Sequence, residues 1–211
     1  MKSPEREWRV QLRERYVWLR DADHPVAVVT RQAVGVLVVV AVTGLVLYAV
    51  SGVWPPMVAV KSGSMAPHLV RGDLVVTMNE HRFAPDNGVE MTGVVTTRAG
   101  RRAGYRSFGA YGDVIVYKPR GGDDTPIIHR ARFWVNESEN WYAKANSSFV
   151  SGESCASVPN CPAPHAGFIT KGDAVEAYDQ VNGLTGPVRP SWVRGTAEVA
   201  IPLLGHLRLL I

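Results

Sequence analysis

Gly112-Asp113-Val114-Ile115-Val116-Tyr117-Lys118-Pro119 and, past the stretch Arg120-Gly121-Gly122-Asp123-Asp124-Thr125, Pro126-Ile127-Ile128-His129-Arg130-Ala131 decide what kind of fold this chain adopts. A Gly-Asp turn feeds four β-branched or aromatic residues. Pro119 and the Gly/Asp loop then break the run, and a second apolar stretch follows, which reads as strand, hairpin loop, strand. The same device stands upstream at Gly72-Asp73-Leu74-Val75-Val76. Working outward, Met57–Val60, Leu74–Met78, Val94–Thr97, Val114–Lys118, Ile127–Val135, Trp141–Ala145, Phe168–Thr170 and Ala197–Ile201 read as strands. Beyond Trp54-Pro55-Pro56 no stretch keeps helical spacing over about ten residues. The expected body is therefore mainly β and mostly antiparallel, with Arg98–Gly109 as a mobile excursion from it.

The composition agrees. A chain of 211 residues has room for one body and a short appendage, and 46% hydrophobic with 20% charged residues excludes both a disordered chain and a multi-span membrane protein. Twenty Gly and 14 Pro suit many short elements joined by turns, and two Cys exclude a disulfide-dense scaffold. The net charge is +4, with Lys2, Arg6, Arg9, Arg13, Arg15, Arg20 and Arg31 all near the N-terminus. Arg98, Arg101, Arg102 and Arg106 lack the interleaved aromatics that grip single-stranded nucleic acid, so they read as a solvated basic loop and no nucleic-acid partner is expected.

From Gln32 to Val60 no residue is charged, and Ala33–Val53 is dominated by Val, Leu and Ala. At 1.5 Å per residue, about 20 such residues cross the hydrocarbon core of a bilayer as a helix. A cleaved signal peptide would be shorter and nearer the N-terminus, so the expectation is a transmembrane anchor over 32–54. Arg9, Arg13, Arg15, Arg20 and Arg31 upstream outweigh Lys61 and Arg71 downstream. That bias places residues 1–31 in the cytoplasm and the body, 55–204, on the outer face of the cell membrane. Trp8–Leu19 reads either as a helix lying on the headgroups or as a disordered arm. The end of the chain, from Val199, is apolar but too short and too interrupted to span. It reads as a last strand followed by an apolar tail, 205–211, that packs on the body or touches the membrane. Cys155 and Cys161 lie in a Ser/Pro/Asn-rich loop where an exported protein favours a small disulfide over two free thiols, and His165 alone makes a poor zinc site, so no metal is expected.

Chemistry concentrates in Lys61-Ser62-Gly63-Ser64-Met65-Ala66-Pro67, directly after the anchor. A Ser in a Gly-containing loop at a strand end can expose its hydroxyl while its own N–H and a neighbouring hydroxyl face the same small space, as an oxyanion site requires. Ser64 is the candidate nucleophile and Ser62 the candidate second donor. A serine needs a base. His24 precedes the anchor, His206 lies in the tail, and His68 and His81 read as loop histidines on a solvated surface. His129 interrupts an apolar strand, where an imidazole needs a partner or a task. Asp173 and Asp179, in Thr170-Lys171-Gly172-Asp173-Ala174-Val175-Glu176-Ala177-Tyr178-Asp179-Gln180, are the carboxylates able to orient it.

Ser62-Gly63-Ser64-Met65-Ala66-Pro67 with Arg71-Gly72-Asp73, then Gly112–Tyr117, Pro126–Arg130 and Thr170–Asp173 with Asp179 and Gln180, resemble in order the boxes of the type I signal peptidases. The likeness is to the archaeal and endoplasmic-reticulum branch, in which a His stands where bacterial enzymes carry a Lys. It covers roughly Ala33 to Leu204. The resemblance implies a signal peptidase/LexA-like β fold, Ser64 as nucleophile, His129 as general base, Ser62 with the Ser64 N–H as oxyanion donors, and Asp179 ahead of Asp173 as the orienting acid. Ala174-Val175 departs from the polar pair usual there. No cofactor is implied. The implied activity is a membrane-anchored serine endopeptidase that removes signal peptides from secretory preproteins after small residues at −1 and −3, leaving accessory membrane subunits open. The alternatives are a membrane-tethered self-cleaving or regulatory serine protease of LexA-like architecture, for which Lys61 and Lys118 offer a Ser–Lys dyad, and an inactive exported peptide-binding module.

Overall fold

The protein's structure, a computed structural model, describes residue 17 and residues 24–82, 88–89, 92–119 and 125–209. Apart from Val17, the Trp8–Leu19 reading lies outside these residues, as does the Gly121–Asp124 hairpin loop. Among the described residues the chain carries one long helix, Pro25–Ser51 (α1), and a mainly antiparallel β body.

The helix begins ahead of the expected 32–54 span. Pro25 has its φ preset for a first helical turn, and His24 caps it: its carbonyl accepts the Val28 N–H at 3.1 Å and its Nδ1 accepts the Val26 N–H at 3.3 Å. Charge marks the limit of an apolar run, but Arg31 does not interrupt backbone pairing. Gly52, at φ +71°, ends the helix three residues ahead of Pro55. By length and composition α1 suffices to cross a membrane, and none of its most apolar window is buried inside the molecule.

Met57–Ala59 (β1), Leu74–Met78 (β2), Val114–Tyr117 (β5), Ile127–Val135 (β6), Gly167–Lys171 (β7) and Val193–Ile201 (β8) form a six-stranded sheet in the order β1-β2-β8-β5-β6-β7. Every pairing in it is antiparallel. Arg106–Ser107 (β3) and Ala110–Tyr111 (β4) make a separate hairpin. The last strand lies between β2 and β5, where Thr196 pairs with Met78 on one side and Ile115 on the other. β5 and β7 are buried along their whole length, whereas β2 alternates between buried and half-buried positions and β8 leaves Arg194, Glu198 and Val199 exposed. One cluster gathers Ile115, Tyr117, Ala131 and Phe168; a second gathers Phe133, Trp141, Ile169 and Tyr178; a third gathers Val60, Met65, Leu69 and Val75. Each fully buried Val or Leu contributes about 1.5–3 kcal/mol, so the third cluster fixes the segment between β1 and β2 firmly.

Two expected strands are absent. Val94 and Val95 are buried as irregular chain, with the Val95 N–H donating to Asp113 Oδ2 at 2.7 Å. Thr96 then caps a short helix, Thr97–Ala103 (α2), accepting the Ala99 N–H. The segment read as a mobile excursion thus builds α2 and the β3-β4 hairpin. Gly112 makes this possible: its φ is +81°, and a β-carbon there would sit 2.3 Å from the Thr97 nitrogen. Trp141–Ala145 contains a 3₁₀ turn, Tyr142–Lys144, instead of a strand. Trp141 is buried singly, its ring against Phe133 and Tyr178 and its Nε1 donating to the Asn160 carbonyl at 2.6 Å. Cys155 and Cys161 form a disulfide.

The chain divides into two compact units, Met1–Ala49 and Val50–Ile211. Within the second, Gly205–Leu209 (α3) packs against β1 and β2.

Candidate active site

After β1 the chain enters a turn in which the Ala66 N–H bonds the Gly63 carbonyl and the His68 and Leu69 N–H groups bond that of Met65. Met65 and Leu69, 1% and 0% exposed, plug the turn into the core, while Ser62 and Ser64 face outward with their hydroxyl oxygens 3.1 Å apart. β6 carries His129 into contact with this turn. Its Nε2 lies 3.0 Å from Ser64 Oγ, and its Nδ1 lies 2.8 Å from Asp179 Oδ2.

Asp179 sits at the head of a turn that folds back on β7: its N–H donates to the Thr170 carbonyl at 3.0 Å, and the neighbouring Tyr178 ring packs on Phe133, Trp141 and Phe149. Asp179 is 1% exposed, yet its Oδ2 accepts the Thr170 hydroxyl at 2.6 Å and the Tyr117 hydroxyl at 3.0 Å besides facing His129. Burial and the adjacent Asp179 charge push the Tyr117 hydroxyl well above its ordinary value, so it remains a donor. A carboxylate accepting from both hydroxyls leaves Nδ1 as the third donor. The proton on His129 therefore belongs on Nδ1, and the Nε2 lone pair faces the Ser64 hydroxyl. Gln180 completes the shell, accepting the Thr170 N–H at 3.0 Å and donating to the Thr170 hydroxyl at 3.2 Å. Each of these buried groups would cost about 1–3 kcal/mol if left unpaired.

Asp173, the other candidate acid, faces away from the imidazole. Arg130 Nε and Nη2 grip its carboxylate at 3.0 and 2.7 Å, Arg132 Nη2 reaches it at 3.4 Å, and His68 Nδ1 lies 3.0 Å from its Oδ2. Burial pushes the Asp173 carboxyl up, but the Arg130 hydrogen bonds and the Arg130, Arg132 and His68 charges outweigh it and hold it below the usual carboxylate range. His68 is exposed, as a loop histidine on a solvated surface should be, but its Nδ1 is also tied to the shielded Asp173 side chain. Neighbours of Asp173 still touch the site: the Ala174 N–H donates to the Ser64 carbonyl at 2.9 Å, and Gly172 passes close to both Ser64 and His129 with no room for a side chain.

Ser64 and His129 line a cleft of about 660 Å³, bordered also by Val58 of the edge strand β1, Ile128, Leu184 and Leu209. Lys61 also borders it, while the basic group hydrogen-bonded to the Ser64 hydroxyl is His129. Among the described residues no group of three or more His, Cys, Asp or Glu side chains is placed to hold a metal ion. Tyr117, Thr170, Gly172 and Gln180 all lie inside the quoted boxes, but their roles as hydroxyl donors, spacer and outer brace are visible only once β5, β6 and β7 are paired. His68 carried no signal of its own.

No protein-family model matches the chain, and no curated protein matches it.

Proposed function

We propose that the protein is a membrane-anchored serine endopeptidase of the signal peptidase type, with a signal peptidase/LexA-like β body, acting on secretory preproteins. The observation that carries the reading is the continuous chain from Ser64 Oγ through His129 to Asp179, 3.0 and 2.8 Å in its two links, opening on an apolar cleft beside an edge strand. His129 takes the Ser64 proton as Oγ attacks the scissile carbonyl, Asp179 stabilises the imidazolium, and the Ser64 N–H with the Ser62 hydroxyl receives the oxyanion. The imidazolium then gives its proton to the leaving amine. Water, activated by the same imidazole, attacks the acyl carbon and releases Ser64.

An extended peptide pairs with the edge strand β1, whose Val58 and Ala59 border the cleft, and places its side chains against the apolar lining, with small residues at −1 and −3. Helix α1 ends at Ser51, shortly before Ser64 in the chain. As a membrane span it would tether the body to the bilayer through a short stretch of chain, and the N-terminal excess of Arg favours the body on the outer face.

The test is incubation of the detergent-solubilised protein with a preprotein bearing a signal peptide, read by intact mass. The wild type is expected to release the N-terminal segment at one bond and Ser64→Ala to leave the preprotein whole. Equal behaviour of the two overturns the reading and leaves a binding module.

A further inference from the structure

We propose that His68 is a positioning residue for Ser64, clamping the far end of the nucleophile turn onto the Asp173 carboxylate. The inference rests on the hydrolase reading above. Asp173 is a fixed point. Its carboxylate is 6% exposed and held by Arg130 and Arg132, and Arg130 is itself anchored by donation to the Ser107 and Gly112 carbonyls at 2.9 and 2.6 Å. His68 Nδ1 docks on that point at 3.0 Å from a position still 30% exposed. A charge-assisted bond to a shielded carboxylate is stronger and more directional than an exposed ion pair.

The clamp bears on Ser64 through a closed loop of contacts. Residues 172–174 hold the turn twice, by the Ala174 N–H on the Ser64 carbonyl at 2.9 Å and by Asp173 on His68, four residues further along. Met65, between these ties, and Leu69, just after the second, bury their side chains in the core. Apolar packing is non-directional and fixes depth better than orientation. With the His68 tie gone, the turn can rotate about its buried side, and Ser64 Oγ drifts from His129 Nε2. A misplacement of about 1 Å costs about 100-fold in rate. His68 itself touches neither Ser64 Oγ nor the imidazole of His129, so it acts through the turn.

The test compares His68→Phe, which keeps the ring and loses Nδ1, with His68→Asn, whose amide nitrogen reaches the same place. Two quantities are read on the full chain in detergent: kcat and KM for a signal-bearing peptide, and the hydrogen-exchange rate of the Ala174 amide by NMR. His68→Phe is expected to lower kcat about 100-fold with KM nearly unchanged, and to speed Ala174 exchange at least about 10-fold more than it speeds exchange of the core amides of β5 and β7, which report the global loss of stability. His68→Asn is expected to restore most of both. If His68→Phe does not fold, His68→Ala, which adds no bulk, makes the same comparison. Wild-type kcat in the ring variant, or an Asn variant as impaired as the Phe variant, overturns the inference. If wild type and Ser64→Ala are equally inert, the hydrolase reading has failed, and Ala174 exchange alone decides whether the clamp exists: unchanged protection in His68→Phe rejects it.

Discussion

Gly172 and His129 approach so closely that a β-carbon on the glycine would lie 2.9 Å from the imidazole Nε2, and 2.6 Å from the Ser64 carbonyl oxygen. Both distances are shorter than real side chains tolerate, and the second partner is backbone, which cannot swing aside. Gly172→Ala must therefore separate β7 from the nucleophile turn. The expected outcome is a fall in kcat of about 100-fold or more, with the far-ultraviolet circular dichroism unchanged. Wild-type turnover in the alanine variant would show that the contact is not kept in solution.

Asp179 and Asp173 are separated by their partners. Asp179→Asn removes the acceptor that fixes the His129 tautomer, and the expected loss in kcat is about 10⁴-fold. Asp173→Asn leaves the fully buried Arg130 guanidinium without its counter-charge. That variant should lose about 3–5 kcal/mol of stability and far less of its turnover. Steady-state kinetics beside urea denaturation of both variants checks the contrast, and a larger kcat loss in Asp173→Asn would reverse the assignment.

Met65 tests the floor of the turn. At 1% exposure it packs beside Leu69 and Val60, and Met65→Ala should cost about 2–5 kcal/mol through the cavity it leaves. Because the next residue upstream is Ser64, kcat should fall as well. Met65→Leu, which preserves volume, should restore stability to within about 1.5 kcal/mol.

A buried acid remote from the proposed chemistry gives the protein a pH signature. Burial pushes the Asp113 carboxyl up from its ordinary 3.8 to about 6, against the opposing hydrogen bonds from the Val95 N–H and the Tyr105 hydroxyl. Between those two values the folded protein holds a proton that the unfolded chain has released, so stability falls as pH rises through the window. From pH 4 to pH 7 the wild type should lose about 2 kcal/mol relative to Asp113→Asn. Unfolding in detergent, followed by Trp fluorescence at each pH, measures it. Parallel stability curves would mean that Asp113 is ionised throughout.

The elements legible in the sequence are those whose pattern is set by burial on the sheet. Leu74–Met78 and Ile127–Val135 have the same bounds read from β-branched runs as in the folded chain, because alternation and turn residues report burial directly. Val94–Thr97 and Trp141–Ala145 misled for the same reason. Val94, Val95 and Trp141 are buried, but on irregular chain whose backbone bonds go to Asp113 and to local turns, and propensity cannot tell a buried coil from a buried strand. The site divides along a similar line. Ser64 and His129 stand out because a polar group in an apolar setting is conspicuous from the residue alone. Which acid meets the imidazole depends on the bulged register between Ala131 and Phe133, where β6 pairs with β7, and on Arg130 occupying Asp173. Neither is written in the local sequence.

The position of β8 gives the molecule an order of assembly. One half of the sheet, β1-β2, carries the Ser64 turn; the other, β5-β6-β7, carries His129 and the Thr170 brace of Asp179; the strand that joins them is the last of the six along the chain. A nascent polypeptide emerging from the ribosome lacks the strand pairing that joins the hydroxyl's half to the imidazole's half until Val193–Ile201 slides between them. On the hydrolase reading proposed above, the site is completed only when the chain is nearly finished, and a product stopped ahead of Val193 would lack the strand that pairs the two halves.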